Sequence, residues 1–122
     1  ENYLDTQEGK NLPVSHCIEH TSGWELNKEI APLIDPENIF KKPSFGSVDL
    51  AEKIKEIAKK EDIEIELVGL CTDICVVSNA LLLKAFLPET KIIVDAACCA
   101  GVTVEKHNAA LETLRSCQVS IE

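Results

Sequence analysis

The stretch that most limits how this chain folds is residues 63–87, where a strand pattern changes into a helix pattern within two residues. Residues 63–70 alternate between apolar and acidic side chains and then become continuously apolar, which predicts a strand entering a buried sheet. From Thr72 onward the spacing is helical, and Thr72 or Asp73 is suited to cap the first turn. Cys75 then lies in that turn, where the positive end of the helix favours a reactive thiolate. A small buried packing residue is the alternative interpretation of Cys75.

Strands and helices alternate through the rest of the chain. Ser47 and Thr103 each precede a helical pattern and are suited to cap it. A parallel sheet with helices on both faces is the arrangement that this alternation predicts, and we expect a three-layer αβα, Rossmann-like α/β fold. Active sites of such sheets lie beyond the carboxyl ends of the strands. The further predicted elements are helices at 48–60 and 104–114, strands at 91–95 and 119–121, a short strand at 38–40 and a loop of small residues at 96–101.

Length and charge restrict the class of protein. With 122 residues the chain is expected to be one domain, with an irregular segment at 1–25 and a βαβαβ portion at 38–122. Asp and Glu number 21 against 12 Lys and Arg, which argues against a nucleic-acid or membrane partner. Most of the six cysteines lie in apolar segments, which predicts reduced thiols and a cytoplasmic location. The helix after Cys75 is apolar on nearly every face, which predicts that it is deeply buried or covered by another subunit, and we expect a homo-oligomer.

Two polar segments carry side chains of types that bind metals or act in catalysis. Residues 1–25 are irregular and contain Glu8 and His16, and an imidazole and a carboxylate from one loop are able to hold a divalent metal. A histidine in such a loop is more often a surface residue. Lys41 and Lys42 precede Ser47, and adjacent loop lysines are ordinarily solvated.

Residues 69–76, Gly-Leu-Cys-Thr-Asp-Ile-Cys-Val, resemble the Gly-x-x-Thr-Asp-x-Cys-Val signature of the isochorismatase-like cysteine hydrolases, in particular their nicotinamidase-like branch. The resemblance implies that Cys75 is the nucleophile. It also implies that the backbone N–H groups of Cys71 and Cys75 form an oxyanion hole, and that the Leu70–Cys71 peptide bond is cis.

The resemblance extends to both polar segments. The Pro-Val-Ser-His-Cys stretch is similar to the metal-site loop of the family, which implies His16 as a ligand, Glu8 as a weaker candidate and zinc as the metal. The Lys-Lys-Pro-Ser-Phe-Gly stretch is similar to the family's lysine segment, which implies Lys42 as the second catalytic residue and Lys41 as its substitute. The family's first strand, its acid/base aspartate and an Asp-x-His metal motif would all precede Glu1.

The function that the resemblance implies is cysteine-dependent hydrolysis of a small amide, with nicotinamide converted to nicotinate and ammonia through a thioester. A non-catalytic binding or subunit-forming member of the same fold is the alternative, as is a relative acting on a carbamoyl or isochorismate-type substrate. Asp95 and His107 also match family positions, and we interpret both as structural because a strand-end aspartate commonly satisfies loop N–H groups.

Overall fold

A computed structural model describes residues 3–122, so Glu1 and Asn2 lie outside the described residues. The chain forms two compact units, one ending at Ile39 and the other running from Phe40 to Glu122. The first unit contains α1 (Gln7–Asn11) and three short 3₁₀ turns, at Tyr3–Asp5, Ala31–Leu33 and Pro36–Asn38. The strand predicted at 38–40 is wrong, because the 3₁₀ turn occupies the start of that segment and no strand follows it there.

The second unit is built on a parallel sheet, and the α/β prediction is confirmed. Its strands follow the order β1-β2-β3 and all pair in parallel, as strands joined by helical crossovers must. Their bounds, with those of the three helices, are β1 Glu64–Leu70, β2 Lys91–Ala100, β3 Ser120–Ile121, α2 Val48–Ala58, α3 Val77–Phe86 and α4 Val104–Ser116.

The helices begin where the sequence predicts caps. The Ser47 hydroxyl accepts a hydrogen bond from the Leu50 N–H at the start of α2, and the Thr103 hydroxyl accepts one from the Lys106 N–H at the start of α4. Each cap satisfies a backbone donor that the first helical turn leaves without a partner. Both cap predictions are confirmed.

The second strand is longer than predicted, so the prediction of a loop at residues 96–101 is wrong. β2 continues to Ala100, but its pairing with β1 is interrupted: Leu67 is opposite Val94, whereas Gly69 is opposite Cys99. The Asp95 carboxylate accepts hydrogen bonds from the N–H groups of Ala97 and Cys98 inside this irregular stretch. Asp95 therefore satisfies donors that the sheet does not pair, which is the structural role predicted for it.

Helices α2, α3 and α4 pack with the sheet around one apolar core. Burial of a large aliphatic side chain of this kind contributes about 1.5–3 kcal/mol. Val76 and Ala80 of this core hold the start of α3, next to which the candidate site lies. The buried core residues are Ala51, Val76, Ala80, Leu83, Ile92, Val94, Leu111, Leu114 and Val119. None of the helices in the described part of the chain has the length and hydropathy needed to cross a membrane.

Candidate active site

Cys75 lies in a π-helical turn, Thr72–Val76, that joins the end of β1 to α3. The Cys71 carbonyl accepts hydrogen bonds from the N–H groups of Ile74 and Val76, both at 3.1 Å. In a regular α-helix that carbonyl would accept from the residue four positions later, which is Cys75. The Cys75 N–H therefore does not donate to the Cys71 carbonyl as it would in an α-helix. Cys75 is half-buried, and the Leu70–Cys71 peptide bond is cis, as the sequence predicts.

Two side chains of this turn bind the segment that follows β2. Buried Thr72 shares a hydrogen bond of 2.8 Å with Nδ1 of His107 on α4, and the Asp73 carboxylate accepts one of 3.0 Å from the Val102 N–H. The predicted capping role of Thr72 or Asp73 is wrong: Cys71 occupies the cap position and makes no side-chain capping bond. Thr72 instead fixes the turn against α4, which gives His107 a structural contact, and Asp73 fixes it against the segment before α4.

Gly101 permits this close approach. A Cβ on Gly101 would lie 2.8 Å from the His107 backbone nitrogen and 2.9 Å from the Asp73 carboxylate oxygen. We expect Gly101→Ala to lower the free energy of unfolding by about 1–3 kcal/mol, because α4 must move away from the turn. Urea denaturation measures this change. Gly23→Ala is the matched control, since its nearest neighbour is 4.0 Å away, and an equal loss in both variants would contradict the prediction.

Lys42 approaches the sulfur of Cys75 from the loop before α2. Its Nζ is 3.3 Å from Cys75 Sγ and donates a second hydrogen bond of 3.1 Å to the Ser44 carbonyl. A protonated amine at this distance stabilises negative charge on the sulfur. Among residues 3–122, neither Cys75 Sγ nor Lys42 Nζ has a carboxylate partner. The structure thus brings together the two residues that the sequence predicts as catalytic.

The cysteines near Cys75 differ from it in their surroundings. Burial raises the pKa of the Cys71 thiol, and the negative charges of Asp73 and Cys75 raise it further. A hydrogen bond to Asp95 raises the pKa of the exposed Cys98 thiol, and burial raises that of Cys99. These three thiols are therefore less ionised at neutral pH than an ordinary cysteine.

Glu8 and His16, the predicted metal ligands, contact each other in the first unit. Glu8 Oε1 is 3.3 Å from His16 Nε2, and both side chains are partly exposed. His16 Nδ1 is 2.8 Å from the Val14 carbonyl, which only accepts, so Nδ1 carries a proton. Nε2 is therefore the ring nitrogen that remains for a metal, as in histidines whose other nitrogen donates to a carbonyl. The pair fits half of a tetrahedral zinc site, but residues 3–122 contain no group of three ligating side chains.

One residue with several contacts in this region was not singled out from the sequence. Asn79 follows Cys75 by four positions, so both side chains lie on the same face of the helix. Its amide makes hydrogen bonds to the Cys75 carbonyl and to the loop that carries Lys42. The four-residue spacing was the available signal, but the partner loop is 34 residues distant along the chain.

The family of the chain follows from comparison with known proteins. The family model described as the isochorismatase domain matches residues 1–121. The chain therefore belongs to the isochorismatase family. A search of curated protein sequences gave no match.

Solved structures of nicotinamidases are among the similar folds. The nicotinamidase/pyrazinamidase of Bacillus subtilis is 28% identical over 96% of this chain and 67% of its own, with a TM-score of 0.73. The pyrazinamidase/nicotinamidase of Streptococcus mutans UA159 is 26% identical over 100% of this chain and 70% of its own, with a TM-score of 0.77. A pyrazinamidase of Pyrococcus horikoshii, solved in complex with zinc, shares the fold at 22% identity, over 88% of this chain and 61% of its own, with a TM-score of 0.62.

This chain spans about two thirds of the length of these solved relatives. Together with the family match, the similarity establishes an isochorismatase-like hydrolase fold of the α/β class.

Proposed function

We propose that this chain carries the nucleophile and the lysine of a cysteine hydrolase that cleaves a small amide, with nicotinamide as the substrate. The observation that carries the proposal is the 3.3 Å contact between Lys42 Nζ and Cys75 Sγ, on a turn beyond the carboxyl end of β1. Substrates of parallel α/β sheets bind at this end of the strands. Two solved relatives with the same fold are nicotinamidases.

In the proposed reaction the Cys75 thiolate attacks the amide carbonyl carbon. A carbon–sulfur bond forms, and the carbonyl π electrons move to oxygen, where the N–H groups of Cys71 and Cys75 stabilise the oxyanion. The carbon–nitrogen bond then breaks, and the nitrogen takes the proton that the thiol lost and leaves as ammonia. Water next attacks the thioester, the carbon–sulfur bond breaks, and Cys75 returns to the thiolate as the carboxylic acid is released.

Proton transfer and cation binding need groups other than Cys75 and the N–H groups of the oxyanion hole. The proton moves between sulfur and nitrogen through an acid/base carboxylate, and Lys42 stabilises the charge on both partners. Glu8 and His16 would hold a divalent cation together with further ligands. Bound there, the cation would supply a Lewis-acidic position.

The substrate is tested by measuring ammonia release from nicotinamide by the purified, zinc-supplemented full-length protein, beside an N-carbamoyl amine and isochorismate. We expect nicotinate and ammonia in equal amounts from nicotinamide. Turnover of either other substrate with no release from nicotinamide would overturn the proposed substrate.

Thiol trapping separates an enzyme from a binding module. We expect iodoacetamide to alkylate Cys75 at least about tenfold faster than Cys98 at neutral pH, because Lys42 favours the Cys75 thiolate whereas Asp95 raises the pKa of Cys98. Mass spectrometry of peptides after timed quenching gives both rates. Cys98 and Cys117 are both exposed and provide the internal reference. Equal rates would favour a non-catalytic binding module.

A further inference from the structure

The Asn79 amide joins the loop that carries Lys42 to the turn that carries Cys75. Its nitrogen donates hydrogen bonds to the Cys75 carbonyl at 2.8 Å and to the Phe45 carbonyl at 3.0 Å. Its oxygen accepts one from the Ser47 N–H at 2.9 Å. One side chain therefore contacts the nucleophile residue and both ends of the segment between Phe45 and α2.

The orientation of this amide is determined by its partners. Backbone carbonyls only accept hydrogen bonds, and a backbone N–H only donates, so Nδ2 must face Cys75 and Phe45 while Oδ1 faces Ser47. A residue without both a donor and an acceptor at this position cannot make all three contacts. Ser47 is buried and is also the cap of α2, so the Asn79 oxygen helps to fix the start of that helix.

The lysine loop has no regular secondary structure, so its order depends on individual contacts. Residues 41–46 contain no helix or strand, and Lys42 is exposed. Holding a lysine side chain in one conformation costs conformational entropy, so its amine stays against a sulfur only if the backbone is placed correctly. Inside the loop, Ser44 accepts from Lys42 Nζ and donates its hydroxyl proton to the Gly46 carbonyl. Asn79 links this locally bonded loop to α3.

We propose that Asn79 is a positioning residue that holds the Lys42 amine against the Cys75 sulfur. The proposal rests on the proposed function, because it assigns Asn79 a role in preparing the same nucleophile. Asn79 touches no reacting atom and acts on the amine through the Phe45 and Ser47 backbone. A purely structural residue would change the unfolding free energy and leave the reactivity of Cys75 unaltered.

The test compares iodoacetamide alkylation of Cys75 in Asn79→Leu, Lys42→Met and the double variant. We expect each single change to slow alkylation about tenfold and the double change to slow it no more than Lys42→Met alone, because both remove the same contact. In the amide hydrolysis assay, Asn79→Leu is expected to lower kcat while KM stays within about twofold. Asn79→Ala is the second variant if the leucine side chain impairs folding, which urea denaturation reveals.

Ser78→Ala is the matched control on the same helix. The Ser78 hydroxyl donates a hydrogen bond of 2.6 Å to the Ile74 carbonyl and, like Asn79, lies in the first turn of α3. We expect its removal to leave the alkylation rate of Cys75 unchanged. An unchanged rate in both Asn79 variants, or losses that multiply in the double variant, would overturn the role of Asn79. An unchanged rate in Lys42→Met would instead overturn the thiolate–ammonium pair of the proposed function.

Discussion

Replacing Cys75 with alanine is expected to abolish amide hydrolysis, with kcat/KM falling at least about 10³-fold. In the proposed reaction the sulfur is the protein atom that bonds covalently to the substrate, and removal of a nucleophile eliminates the covalent route. Cys75 is half-buried beside Lys42. We therefore expect the fold to persist, which circular dichroism and urea denaturation check, while ammonia release from nicotinamide measures the activity.

Cys117→Ala is the control for this change. Cys117 is exposed at the end of α4, and its loss is expected to leave kcat/KM within about twofold. Full activity of a folded Cys75→Ala protein would remove Cys75 from the reaction and leave the proposed function without a nucleophile.

Changing Lys42 to methionine is expected to lower kcat/KM by about 10²–10³-fold. Methionine retains the length and apolar stem of the side chain but removes the ammonium that lies 3.3 Å from Cys75 Sγ. The thiolate then loses its charged neighbour, and proton transfer during acylation loses the group that stabilises it. Steady-state kinetics with nicotinamide measure the effect.

Lys41→Met is the control that shows whether the effect is specific to Lys42. The two variants lose the same charge, so a general electrostatic effect would lower both activities equally. We expect Lys41→Met to retain most of its activity. A larger loss in Lys41→Met than in Lys42→Met would assign the catalytic amine to Lys41, the substitute implied by the family resemblance.

The alternation of strands and helices could be predicted because period-2 and period-3.6 patterns are local. Apolar spacing located β1, β2 and α4, and the hydroxyl residues Ser47 and Thr103 located two helix starts. The extension of β2 could not be predicted. Its small residues indicate a loop, and the Asp95 contacts that allow the strand to continue depend on register with β1.

The sequence indicates candidate site residues but not the contacts that support them. The family resemblance implies Cys75 and Lys42, whose side chains are in contact. The prediction that Thr72 or Asp73 caps the helix is wrong because it considers only local hydrogen bonds. In the structure the two side chains bond instead to residues distant in sequence, on α4 and on the segment before it. Asn79 was missed because its contacts depend on a loop that carries no periodic pattern.

The π turn at Thr72–Val76 also limits how this segment can change in length. Each residue of a helix rotates the next side chain by about 100°, so a single insertion or deletion here would turn every later position of α3 by that angle. Ala80 and Leu83 would leave the core, and Asn79 and Leu82 after an insertion, or Leu81 and Lys84 after a deletion, would take their places. The core therefore constrains the number of residues in this turn, in addition to the constraint that their hydrogen bonds place on Thr72 and Asp73.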